Sequence, residues 1–74
     1  MFSRQIFAER LKLLRKEKGV PQITIAKLLG VTRTQIGDLE LGKTTTSIER
    51  LYTLAEYYQV TLDYLVGRSD LGDD

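Results

Sequence analysis

The sequence contains no cysteine and no histidine. The first absence excludes disulfides and thiolate metal sites and suits a reducing cytosol, and the second removes imidazole ligands and the commonest general base. No Ser-His or Cys-His pair can be assembled, so the usual machinery of nucleophilic catalysis is missing. The ten acidic residues are scattered among lysines and arginines, whereas a tuned acid/base pair would sit between apolar segments. An enzyme is not expected, and nothing in the chain asks for a cofactor or a metal ion. Also missing are an apolar run long enough to cross a bilayer and the basic-then-apolar start of a signal peptide, so a soluble cytoplasmic protein is expected. A membrane-surface helix in "LYTLAEYY" is disfavoured, because that segment lacks a basic polar face.

What is present is a chain of 74 residues with a formal net charge of +1, enough for one small domain with a modest core. The charge is polarised. Residues 1–43 carry nine Lys/Arg against four Asp/Glu, and residues 44–74 carry two against six. Such polarity lets one end of a domain face a polyanion while the other repels it.

Apolar residues recur at three- and four-residue steps, and glycines punctuate them, which predicts five helices. Ser3 caps the first, with Ile6, Phe7, Leu11 and Leu14 as its apolar positions and Gly19 as its close. The second runs from Pro21 or Gln22 to Leu29 with Ile25, Ala26 and Leu29 on one face, and Gly30 stops it. Thr32 caps a third helix to about Leu41, with Ile36, Leu39 and Glu40 inward and Gly42 as its stop. Ser47 caps a fourth through Tyr58, with Ile48, Leu51, Leu54, Ala55 and Tyr58 inward, and Thr61 caps a short fifth, "LDYLV". The β-branched cluster at 44–46 leaves room for a two-residue strand that has no evident partner. The domain is placed at 1–68, and the acidic segment 69–74 is expected to be a disordered tail or linker stub.

Within this pattern lies a more specific constellation. Two helices meeting steeply across a tight turn need a small residue at their closest approach, which Ala26 supplies, and a turn residue free to take positive φ, which Gly30 supplies. Ile25, Leu29, Val31, Ile36 and Leu39 form the seam that fixes the angle between them. These are the requirements of a helix-turn-helix, whose second helix is held out for a DNA major groove.

The pieces "RLKLLRKEKGVPQ", "IAKLLGVTRTQIGDLELGK" and "SIERLYTLAEYYQVTLDYLVGRSD" together resemble the phage repressor and Cro-like helix-turn-helix regulators, the xenobiotic-response-element family. The resemblance covers about residues 5–67. It implies an all-α, compact five-helix lambda-repressor-like domain that binds operator DNA, usually as a dimer, and regulates transcription, with repression the leading expectation. It also implies that Arg15 pairs with Glu40, that Gln22 meets a phosphate through its side chain and backbone amide, and that Lys43 and Thr44 touch the DNA backbone. The chain departs from the family pattern at Pro21, where a serine cap is common, at Asp38 and Leu41, and at Thr46, where a proline often stands.

Thr32 and Arg33 open the expected recognition helix, 33–41, and steps of three and four from Arg33 and Thr34 place Gly37 and Asp38 on the same outer face. Arg33 has the reach and donors for guanine O6 and N7, and Thr34 suits a thymine methyl or a hydrogen bond. Gln35 sits at the flank, for phosphate or adenine. Gly37, bare of side chain, would let the helix lie deep in the groove, and Asp38 would accept from a cytosine amine or orient Arg33 or Lys43. Base contacts are thus assigned to Arg33, Thr34, Gly37 and Asp38, and backbone contacts to Gln22, Thr32, Gln35, Lys43 and Thr44. Arg10, Lys12 and Lys16 are weaker candidates for backbone contact. A homodimer through helices four and five is expected, with Tyr57, Tyr64 and Val66 as exposed apolar candidates. The alternative is a protein-interaction module, such as an antitoxin or anti-repressor with secondary DNA binding.

Overall fold

A computed structural model describes residues 2–68, and the expected tail at 69–74 lies outside the described residues. Five helices follow in order: α1 (Arg4–Lys18), α2 (Gln22–Leu29), α3 (Arg33–Glu40), α4 (Ile48–Tyr58) and α5 (Leu62–Val66). No strand occurs among the described residues, and 44–46 runs as irregular chain. Four of the five helix starts carry a side-chain cap: Ser3, Thr32, Ser47 and Thr61 each accept from the backbone N–H three residues on. Each supplies an acceptor to a donor that the helix itself cannot satisfy. Pro21 begins α2 in extended conformation without a side-chain cap.

The core is built from Phe7, Leu11, Ile25, Ala26, Leu29, Ile36, Leu39, Leu54, Ala55 and Leu65. Every helix contributes to it, so no pair of helices is independent of the rest. Ala26 is 1% exposed, as the tight α2–α3 crossing requires. Gly30 takes the left-handed conformation at φ +69° and returns its N–H to α2. That residue turns the chain sharply enough for Thr32 to begin α3 two residues later.

Two expectations about the core fail. Ile48 is 69% exposed, because it is the first residue of α4 and its side chain precedes the stretch that packs, which begins at Leu51. Ile6 is exposed too; it lies at the rim of α1, where its side chain abuts Gly67 and not the core. Tyr57, Tyr64 and Val66 are half-buried and so are not the exposed apolar surface expected of them. Tyr57 packs edge-on against Tyr58 at 5.0 Å and is covered by the Lys18 ammonium at 4.8 Å, while the Arg10 guanidinium lies 4.3 Å from the Tyr64 ring centre. The large apolar side chains exposed on α4 are instead Ile48 and Tyr52, one turn apart.

Candidate nucleic-acid interface

α3 is anchored on one side by Ile36 and Leu39, 2% and 5% exposed, and presents Arg33, Thr34 and Gln35 to solvent on the other. Its N-terminus is closed by a reciprocal capping box. The Thr32 hydroxyl accepts from the Gln35 N–H at 3.1 Å, and the Gln35 amide oxygen accepts from the Thr32 N–H at 2.8 Å. Both residues were expected at the DNA backbone, and both have a structural use as well: their oxygens are turned onto the helix start. The Gln35 amide nitrogen has no protein acceptor among the described residues, so the group it offers outward is a donor.

Beneath the helix lies the ion pair. Arg15 Nε donates to Glu40 Oε2 at 2.6 Å and Arg15 Nη2 to Glu40 Oε1 at 3.0 Å, with side-chain exposures of 13% and 6%. A two-bond fork of this kind satisfies a carboxylate that would otherwise be costly to bury. Arg15 Nη1 also donates to the Val20 carbonyl at 3.0 Å, which ties the α1–α2 connection into the same group. The hydrogen bond to Glu40 raises the Arg15 pKa above the ordinary guanidinium value, so the charge is fixed. Tyr58 lies in the charged neighbourhood of Glu40, and burial first and that carboxylate second push its phenol above the usual range.

Gln22 is half-buried, and its side chain turns toward this pair. Its Nε2 donates to Glu40 Oε1 at 3.1 Å, and its Oε1 accepts from Arg33 Nη1 at 3.4 Å. A Cβ built on Gly37 would stand 3.9 Å from Gln22 Nε2. The bare face of Gly37 therefore borders the Gln22 amide.

On the far flank of α3, a cleft of about 230 Å³ is lined by Leu29, Val31, Gln35, Asp38, Leu39, the threonines at 44, 45 and 46, and Arg50. Asp38 is half-buried at this cleft, and no cation pairs with it among the described residues, so the expected orientation of Arg33 or Lys43 by its carboxylate does not occur here. Its carbonyl accepts from the Lys43 N–H at 3.0 Å, with Gly42 at φ +78° making that return possible. Arg4 donates to the Lys43 carbonyl at 3.1 Å and so pins the 42–44 turn to the start of α1. Lys43 and Thr44 are held exposed beside the recognition helix.

Two residues were missed at the level of sequence. Arg50 joins Thr44 at the cleft because α4 begins beside α3, which local spacing could not show. Arg4 organises the loop through a carbonyl, a contact that carries no sequence signature. Arg10, a weaker candidate, donates to the Tyr64 carbonyl and clasps α1 to α5.

A family model described as helix-turn-helix matches residues 11–65. The chain belongs to the phage repressor and Cro-like helix-turn-helix family. Among relatives, the prophage-derived HTH-type transcriptional regulator YonR of Bacillus subtilis is 38% identical over 61 residues, covering 82% of this chain and 56% of that protein. DdrOP3, an HTH-type transcriptional regulator of Deinococcus deserti, is 39% identical over 66 residues, covering 88% and 51%. The P22 c2 repressor, solved in complex with a synthetic operator, superposes with a TM-score of 0.80 at 29% identity, covering 88% of this chain and 98% of that one. The chain thus spans about half the length of the curated relatives it matches. In this family's terms α2 and α3 are the helix-turn-helix, α3 is its second helix, and α1, α4 and α5 hold it out.

Proposed function

We propose that this domain binds double-stranded DNA in a sequence-specific manner, with α3 in the major groove, and regulates transcription, foremost as a repressor. Its part is recognition and not catalysis, exercised in the cytoplasm where the nucleoid is accessible. The observation that carries this reading is the exposed outer face of α3, with Arg33, Thr34 and Gln35 outward and Lys43, Thr44 and Arg50 on one flank. An α-helix with its side chains is ~10–12 Å across, close to the ~12 Å width of the groove that α3 would enter. Arg33 is assigned to guanine and Thr34 to a thymine methyl, with Gly37 as the point of closest approach and Asp38 facing a cytosine amine. Thr32, Gln35, Lys43 and Thr44 are assigned to the backbone, joined by Arg50 and by the free N–H at the start of α2, on Gln22. The relatives named as transcriptional regulators and the operator complex of the P22 c2 repressor support this assignment.

The longest extent of the domain is 28 Å, shorter than the ~34 Å between half-sites one helical turn apart. Two copies are needed for such a site. The exposed pair Ile48 and Tyr52 on α4 is the surface offered to the second copy, in a homodimer through α4 and α5.

Selection of bound sequences from a random duplex pool tests the reading. A palindromic consensus is expected, with Arg33→Ala erasing the preference at one guanine in each half and costing about 1 to 3 kcal/mol there. No binding at low or moderate salt, with Arg33→Ala equally silent, overturns it in favour of a protein-interaction module of the antitoxin or anti-repressor kind.

A further inference from the structure

The cleft between α3 and the start of α4 holds two opposite charges that do not meet. Asp38 and Arg50 both line it, the first half-buried and the second exposed, and no ion pair joins either to another described residue. A half-buried carboxylate without a cation is an unmet demand, since burial withdraws water from the charge and nothing replaces it. Donors line the same cleft. The hydroxyls of Thr44, Thr45 and Thr46 make no hydrogen bond to any described residue. Gln35 Nε2 is left over as well, because Gln35 Oε1 accepts from the Thr32 N–H at 2.8 Å. The floor is apolar: Leu29 and Leu39, 9% and 5% exposed, with half-buried Val31.

These three kinds of surface limit what fits. The volume of about 230 Å³ is below the ~300–1,000 Å³ of sites for drug-sized ligands, so the occupant is small. A simple anion would satisfy Arg50 and be repelled by Asp38, and a simple cation would do the reverse. A molecule with both an ammonium and a carboxylate meets both charges, and an apolar branch covers the floor. An apolar α-amino acid carries all three groups on one carbon.

We propose that this cleft is a binding site for a free apolar α-amino acid, and that its occupation displaces DNA. The ammonium donates to Asp38. The carboxylate accepts from Arg50, the threonine hydroxyls and Gln35 Nε2, and the side chain lies on Leu29, Val31 and Leu39. The displacement rests on the DNA-binding reading above, in which Asp38 takes a cytosine amine and Arg50 a phosphate. The amino acid offers an amine and an anion to the same two side chains, so ligand and DNA are alternatives. Linkage makes the effect reciprocal: bound DNA lowers the affinity for the amino acid by the same factor.

The site is tested on the DNA-free domain by titration with L-alanine, L-valine, L-leucine, L-isoleucine and L-methionine, followed by backbone amide chemical shifts. At least one is expected to give saturable shifts, largest over 29–31, 35–39 and 44–50 and small in α1 and α5. For that amino acid the methyl ester lacks the carboxylate charge and the N-acetyl derivative lacks the ammonium. Each is expected to bind about tenfold more weakly or worse. Asp38→Asn is expected to weaken the parent amino acid about tenfold and to leave the N-acetyl derivative little changed, since that derivative has no ammonium to lose. No saturable shift at the cleft with any of the five, or derivatives that bind as well as the parent, overturns the proposal.

Displacement is measured on the selected duplex. With the amino acid at about ten times its Kd, the apparent affinity for DNA is expected to fall about tenfold; an unchanged affinity overturns the displacement. A domain that takes up the amino acid but binds no DNA sinks the DNA-binding reading and leaves the site standing. One that binds its duplex and none of the five amino acids sinks the site alone.

Discussion

At the scale of single residues, the chain's conformational demands are met by residues of very unequal legibility. Gly19, Gly30 and Gly67 close α1, α2 and α5 at positive φ, and a glycine after an apolar-periodic run announces such a site. α4 closes the same way without a glycine: Gln59 takes φ +56° and ψ +47°, the only non-glycine at positive φ among the described residues. Nothing in "YYQVT" marks it, because the demand comes from the direction in which Val60 must re-enter the core and not from the glutamine. The left-handed conformation costs an L-residue roughly 1 kcal/mol or more, whereas glycine adopts it freely. Gln59→Gly is therefore expected to stabilise the domain by about 0.5 to 1 kcal/mol after the added freedom of the unfolded chain is subtracted. The check is a rise in urea midpoint at unchanged slope; a lower midpoint shows that the glutamine side chain supports the turn.

At the scale of elements, periodicity and caps were enough to read all five helices, and the small residue at Ala26 with the turn at Gly30 was enough to read how α2 meets α3. The failures lie at element ends. Ile48 has the apolar spacing of a core residue but precedes the first packed turn of α4, a fact of tertiary placement that no window along the chain contains. The pattern Thr-x-x-Gln at 32–35 carries a signal for the capping box, which the assignment of Gln35 to a DNA contact leaves out. Tyr57 and Tyr64 read along the chain as exposed aromatics, whereas both are half-buried with their rings covered by Lys18 and Arg10, cations that come from α1 and that no local window contains.

The strut between α1 and α3 is the element-scale feature most open to measurement. Arg15→Met leaves Glu40 almost wholly buried with only Gln22 as donor, and the expected loss is about 3 kcal/mol. Glu40→Met leaves Arg15 with the Val20 carbonyl and more solvent, and it should cost less. The double variant, apolar on both sides, is expected to recover most of the loss. Chemical denaturation of the three variants checks the order, and simple additivity of the two single losses would mean that the pair is not a coupled unit.

For the whole molecule, the composition that excluded so much chemistry also shapes how stability responds to pH. With no histidine and no cysteine, no side-chain type has its ordinary titration range between the carboxylates and the tyrosines, so folding stability is expected to vary little across neutral pH. The alkaline side is different. The Tyr58 phenol is raised above its ordinary value of 10.0, first by burial and then by the Glu40 charge, so the folded state favours the neutral phenol. Its contribution is fully present below about pH 10 and is lost above it, as the unfolded chain ionises where the folded one does not. One such group changes stability by at most ~1.4 kcal/mol per pH unit. Lysines titrate in the same range, so the loss in the unaltered domain alone does not identify its source. Tyr58→Phe does: it keeps the ring and removes the proton, and it should lose less stability than the unaltered domain between about pH 8 and about pH 11. Urea unfolding of both proteins at the two pH values checks this, and equal losses would move the alkaline sensitivity away from Tyr58 and the buried end of the Arg15–Glu40 strut.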